Sequence, residues 1–134
     1  MTKTGFLLVG HGSKKPSNKE LIENTAALIA KKEDRFLVKS AFMSINEPSV
    51  KDVLETFKAD DISSLVVVPL FLARGIHIDV DIPGILGLEQ SSKKGTFATE
   101  KGEVPLLYAA PIGNNPMLAD LMVSSADVVI KENL

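Results

Sequence analysis

Four short apolar runs, each followed by a stretch of helical periodicity, constrain what this chain of 134 residues can fold into. Phe6–Val9 is an unbroken apolar run ending at Gly10, the pattern of a strand buried on both faces. Ser17 and Glu20 read as a capping box for a helix with Leu21, Thr25, Leu28 and Ile29 on one face. Leu37–Met43 is a second strand; Pro48 suits the first turn of a helix, whose apolar stripe is Val50, Val53, Leu54 and Phe57. Leu65–Val68 is the strongest strand signal, and Pro69 should end its regular ladder. A third helical stretch is predicted from His77 to Leu88, weakened by Pro83 and Gly84. Gln90–Glu103 is polar, carries Gly95 and Gly102, and reads as an exposed loop. Leu106–Ala109 is a fourth strand. Asn115 as N-cap and Pro116 in the first turn open a last helix bearing Leu118, Leu121, Met122, Val128 and Val129.

No two of these strands are joined by a hairpin-length loop, so the crossovers must be helical and the sheet parallel. The expectation is an α/β chain forming one domain over residues 1–134. It should be a three-layer sandwich around a four-stranded parallel sheet in the flavodoxin-like order 2-1-3-4. Lys and Arg number 15 against 17 Asp and Glu, a formal charge of −2. That balance supplies no field for nucleic acid. With no cysteine in the chain, disulfides, thiolate metal sites and thiol catalysis are excluded. The first apolar run is too short for a signal peptide or a membrane span. A cytoplasmic protein with neither a nucleic-acid partner nor a membrane is expected.

Ligands in open parallel sheets bind beyond the carboxyl ends of the strands. There the sequence places Gly10-His11-Gly12-Ser13, Asn46-Glu47-Pro48-Ser49, Leu72-Ala73-Arg74-Gly75-Ile76-His77 and Pro111-Ile112-Gly113-Asn114. Both histidines of the chain fall on this rim. In the order 2-1-3-4, strands one and three are neighbours about 4.8 Å apart. His11 and His77 would then converge, and two imidazoles can share one ion at nitrogen–metal distances of about 2.0–2.2 Å. The flanking glycines would leave the His11 ring open to a ligand. Each residue also has a plainer reading. His11 can cap a carbonyl, His77 can face water at a helix start, and Glu47 can favour a helix dipole. Arg74, Lys14 and Lys15 can be solvated charges, and Asp79 and Asp81 first-turn acids. Gly10-His11-Gly12 lacks the third glycine of a dinucleotide fingerprint, and there is no phosphate-binding P-loop and no nucleophile elbow.

The stretches LLVGHGS, NEPS and above all VVVPLFLARGIH resemble the class II tetrapyrrole chelatases, in particular the small archaeal sirohydrochlorin cobalto- or nickelochelatases. The resemblance runs from about Gly5 to Gly113. It implies that His11 and His77 bind the metal, with His11 also accepting a proton, and that Glu47 is the acid following strand two. It further implies that Leu72, Ala73, Arg74, Gly75, Ile76 and His77 contact the substrate. Because the chain is acidic overall, the substrate's carboxylates must be recognised locally, and Arg74, Ser13 and Lys14 are the candidate partners. The expected activity is ATP-independent insertion of Co²⁺ or Ni²⁺ into sirohydrochlorin, for cobalamin or coenzyme F430. The resemblance further implies that the metal is a substrate, that no cofactor stays bound, and that the chain works as a homodimer. A non-catalytic metal or tetrapyrrole carrier, a phosphate-ester enzyme or a flavodoxin-like binding module are the competing readings. Imidazole suits the first task because its neutral form ligates Co²⁺ and Ni²⁺ and it exchanges protons near neutral pH.

Overall fold

A computed structural model describes residues 2–89 and 91–134. The chain runs β1 (Lys3–Gly10), α1 (Pro16–Lys32), β2 (Phe36–Phe42), α2 (Val50–Phe57) and β3 (Ile62–Pro69). A π-helical turn (His77–Asp81) then leads into α3 (Ile82–Leu86), followed by β4 (Lys94–Thr99), β5 (Gly102–Tyr108) and α4 (Pro116–Asn133). The sheet has five strands in the order β2-β1-β3-β5-β4. β1 pairs in parallel with β2 and β3, and β3 in parallel with β5. The expected neighbours are therefore in place, with β5 as the fourth parallel strand.

The four-stranded, wholly parallel sheet is nevertheless corrected. β4 pairs antiparallel with β5, from Thr99↔Gly102 to Lys94↔Leu107, so the two form a hairpin. These strands occupy most of the stretch read as a loop; Gln90, its first residue, lies outside the described residues. The segment looks like a loop because β4 is an edge strand whose only buried side chain is Phe97. A strand wet on one face and at its edge needs few apolar residues. Gly102, at φ 119°, takes the backbone conformation the turn requires.

The main core lies on one face of the sheet. Leu7, Val9, Leu65, Val67, Leu106 and Tyr108 pack there with Val50, Val53, Leu54 and Phe57 of α2, and with Ile78 and Ile82. The predicted stripe of α2 is buried in full, and Ser49 caps the helix by accepting from the Asp52 amide. Pro48 therefore precedes the cap and is not in the first turn. On the opposite face Leu8 and Phe42 pack with Ile22 and Ala26 of α1. The predicted face of α1 is corrected, since Leu21 and Leu28 are exposed. So is its start: Pro16 opens the helix behind Lys15, with no side-chain cap, and Ser17 lies inside the first turn. α4 has its predicted Asn115 cap, yet none of its residues is buried.

Candidate metal centre

β1 and β3 end side by side, with Val9 opposite Pro69. His11 follows β1 directly, and the Leu70–Ile76 segment carries the chain from β3 to the π-helical turn that begins with His77. The two imidazoles meet, with Nε2 of His11 3.1 Å from Nε2 of His77. Their rings lie nearly perpendicular, and Phe71 flanks both with centroids 6.1 Å away.

The second nitrogen of each ring decides what that contact means. Nδ1 of His11 lies 3.0 Å from the Gly12 carbonyl oxygen, and Nδ1 of His77 lies 2.8 Å from a carboxylate oxygen of Asp81. Both neighbours are acceptors, so each Nδ1 must donate a proton, and each neutral ring keeps its lone pair on Nε2. Two lone pairs 3.1 Å apart repel unless a cation lies between them. A shared proton or a metal ion meets that need. With nitrogen–metal bonds of about 2.0–2.1 Å, two cis ligands stand about 2.9 Å apart at a right angle and about 3.3 Å apart at the tetrahedral angle. The observed spacing falls within this window.

Local backbone sets the rings in place. Gly12 has φ 97°, and a Cβ there would come within 1.8 Å of the Ser44 carbonyl oxygen. The glycine thus serves the close approach of two backbone segments, while the His11 ring beside it is exposed. A Cβ on Gly10 would strike Ile22 of α1 at 2.6 Å, so that glycine also serves packing. Side-chain amides tie the loop down: Asn18 accepts from the Gly12 amide and Asn46 from the Ser13 amide. The amides of Met43 and Ser44 donate to the carbonyls of Gly10 and His11. Next in this second loop is Ile45 at φ 68°, an unfavourable conformation for a β-branched residue, with its side chain exposed.

The π-helical turn places Asp81 below His77. Among the described residues no cluster of three or more metal-ligating side chains occurs. The pair therefore offers two ligands and leaves the remaining positions of an ion open. Asp81, which reads in sequence as an ordinary first-turn acid, holds the His77 ring through Nδ1, the arrangement usual for a carboxylate behind a metal-bound histidine. Its signal was the i, i+4 spacing from His77, which puts both on one helical face.

The other rim residues divide. Leu72, Ala73, Arg74, Gly75 and Ile76 are all exposed beside His77. Arg74 is ion-paired with Asp79 at 2.9 Å, so its charge is shared. Ser13 accepts from the Lys15 amide through its hydroxyl. Glu47 is exposed on the loop tied to the His11 segment, and it has no hydrogen bond or ion pair among the described residues. Against the π-helical turn a cavity of about 460 Å³ is lined by residues that include Arg74, Asp79, Ser92, Lys93 and Tyr108. The Tyr108 hydroxyl donates to the Ile78 carbonyl at 2.8 Å. Burial pushes its pKa up to about 12; the charge of Asp79 adds to the rise and that of Arg74 opposes it.

The chain matches the family model CbiX over residues 5–128. It is 39% identical over 124 residues to a protein of Methanococcoides burtonii named sirohydrochlorin cobaltochelatase, covering 92% of this chain and 95% of that one. A protein of the same name from Methanosarcina barkeri is 41% identical over 120 residues, 90% and 92% of the two chains. Among solved structures, a CbiX protein of Marinobacter aquaeolei VT8, described by its role in cobalamin (vitamin B12) biosynthesis, superposes with a TM-score of 0.63 at 27% identity over 96% of both chains. The sirohydrochlorin chelatase SirB of Bacillus subtilis subspecies spizizenii, solved in complex with cobalt, superposes with a TM-score of 0.55 over 64% of this chain and 37% of that one. At 24% identity that likeness is one of fold.

Proposed function

The chain belongs to the CbiX family, and we propose on that premise that it is a metal chelatase that inserts a divalent ion, Co²⁺ or Ni²⁺, into sirohydrochlorin without ATP. The observation that carries the reading is the pair of Nε2 lone pairs 3.1 Å apart, each fixed by an acceptor behind its ring. Two imidazoles hold a cobalt or nickel ion firmly enough to capture it and leave coordination sites for the macrocycle. Insertion exchanges the ion for two inner pyrrole protons, so sirohydrochlorin and M²⁺ yield the metal complex and two protons. As the ion passes to the macrocycle, the His11 lone pair becomes available to accept one proton. Glu47 takes the second or contacts the substrate.

The exposed Leu72, Ile76 and Ile45 offer apolar contact to a flat ring. Arg74 and Ser13 are candidate partners for its carboxylates, and Lys93, on the same cavity as Arg74, joins them. The family's route would be cobalamin or coenzyme F430 synthesis, according to the metal. The working form is a cytoplasmic homodimer of a one-domain chain.

The test is visible absorption of sirohydrochlorin mixed with Co²⁺ or Ni²⁺ and the protein, without nucleotide. Rapid conversion is expected for the wild type and none above background for His77→Ala, with an unchanged circular-dichroism spectrum. Wild-type rates in His77→Ala would overturn the assignment, and binding without acceleration by the wild type would identify a carrier.

A further inference from the structure

The turn that carries His77 is wound wider than an α-helix. The Ile82 amide donates to the His77 carbonyl, whereas in an α-helix it would reach the Ile78 carbonyl. The Ile78 carbonyl is thereby deprived of its α-helical donor. In the π register its donor would be the next amide along, and residue 83 is proline, which has no N–H. Ile78 is only 2% exposed, and a buried carbonyl without a donor is costly. The Tyr108 hydroxyl meets this need from the end of β5, donating to the Ile78 carbonyl at 2.8 Å. Its ring is itself fixed, packed in the main core with Ile78 and Ile82.

Two windings compete for these residues. An α-turn would give the Ile82 amide to the Ile78 carbonyl and leave the His77 carbonyl to water at the rim. Ile82 is wholly buried and anchors the helix that follows, so the His77 side of the turn is the part that would move. A π-turn holds one residue more than an α-turn, so rewinding would carry His77 about 100° around the axis. That rotation would break the 3.1 Å meeting with His11. By serving the Ile78 carbonyl directly, the Tyr108 hydroxyl removes the advantage of the α-turn.

We infer that the hydrogen bond from Tyr108 to the Ile78 carbonyl locks the π-helical turn in register and so aims His77 at His11, which makes Tyr108 a positioning residue for a metal ligand. The inference deepens the two-histidine reading above and rests on it. Pro83 is the second half of the lock, because it denies the carbonyl any backbone donor in this register.

Tyr108→Phe keeps the ring in the core and removes only the hydroxyl. With Co²⁺ alone as the probe, followed by its visible absorption, this variant should bind at least about tenfold more weakly than the wild type, the scale of loss for groups that orient a ligand. In the metal-free protein the ring proton resonances of His77, one of only two histidines, should shift; His77→Ala identifies them. Adding Pro83→Ala to Tyr108→Phe restores an N–H that can serve the Ile78 carbonyl, so affinity and resonances should return toward those of the wild type. Ile62→Val, a core change at the start of β3, should leave both unchanged. Wild-type affinity and resonances in Tyr108→Phe would overturn the lock. So would losses that Pro83→Ala does not repair, or equal losses in Ile62→Val. A wild type that binds no Co²⁺ would overturn the metal reading, and the metal-free resonances would then judge the lock by themselves.

Discussion

Which nitrogen of each histidine carries its proton is a matter of two neighbours. The Gly12 carbonyl and the Asp81 carboxylate each claim an Nδ1 proton, which directs both Nε2 atoms at one point. Asp81 is thus a positioning residue. Asp81→Ala should lower Co²⁺ affinity about 10–100-fold by titration calorimetry. Asp81→Asn should retain most of it, because an amide oxygen accepts the same proton; equal losses in both variants would refute the positioning role. Tyr108 supports the turn from below, and its pKa of about 12 carries a sign. The folded state favours the neutral phenol, so the stability it contributes is complete below about pH 10 and is lost as pH rises toward 12. As the chain has one tyrosine and no tryptophan, the ultraviolet absorbance of tyrosinate follows that group alone. A midpoint near pH 12 in the folded protein is expected, and an ordinary tyrosine midpoint near pH 10 would contradict it.

At the scale of elements, the β4–β5 hairpin is the main departure from the pattern of the sequence. Its inner contact is Phe97, packed on the core that also holds Leu106 and Tyr108. Phe97→Ala should cost about 3 kcal/mol in urea denaturation. Thr96→Ala, one residue along on the opposite, exposed face, should stay within about 0.5 kcal/mol. Equal small effects would mean that the segment is a loop after all. The alternation around Phe97 and the glycine after Glu100-Lys101 were the available signals, masked by a polar composition that suits an edge strand as well as a loop. The π-helical turn is a second departure. Its wider winding, from the His77 carbonyl to the Ile82 amide, was not legible from a stretch that held Pro83 and Gly84.

At the scale of the whole molecule, the chain carries more apolar surface than one copy buries. α4 keeps its helical form through the Asn115 cap and the proline after it, but finds no partner within the described residues. If the working form is a homodimer, its melting temperature should rise with protein concentration, because association draws on the folded state alone. Calorimetric scans over a hundredfold range of concentration test this, and a constant melting temperature would speak for a stable monomer.

Local order was written in the residues themselves. The runs at Phe6–Val9 and Leu65–Val68, the stripe of α2 and the Asn115 cap depend on neighbours a few positions away, and periodicity records such neighbours. The likeness of LLVGHGS and VVVPLFLARGIH to the chelatases likewise picked out His11 and His77 before any contact was known. Tertiary structure alone decided what depends on partners distant in the chain. It set the 3.1 Å meeting of rings 66 residues apart, gave Asp81 its use, chose which face of α1 is buried, and assigned Gly12 to the Ser44 carbonyl. Those outcomes follow from the register of β1 against β3 and the packing of loops at their ends, which no local pattern of residues encodes.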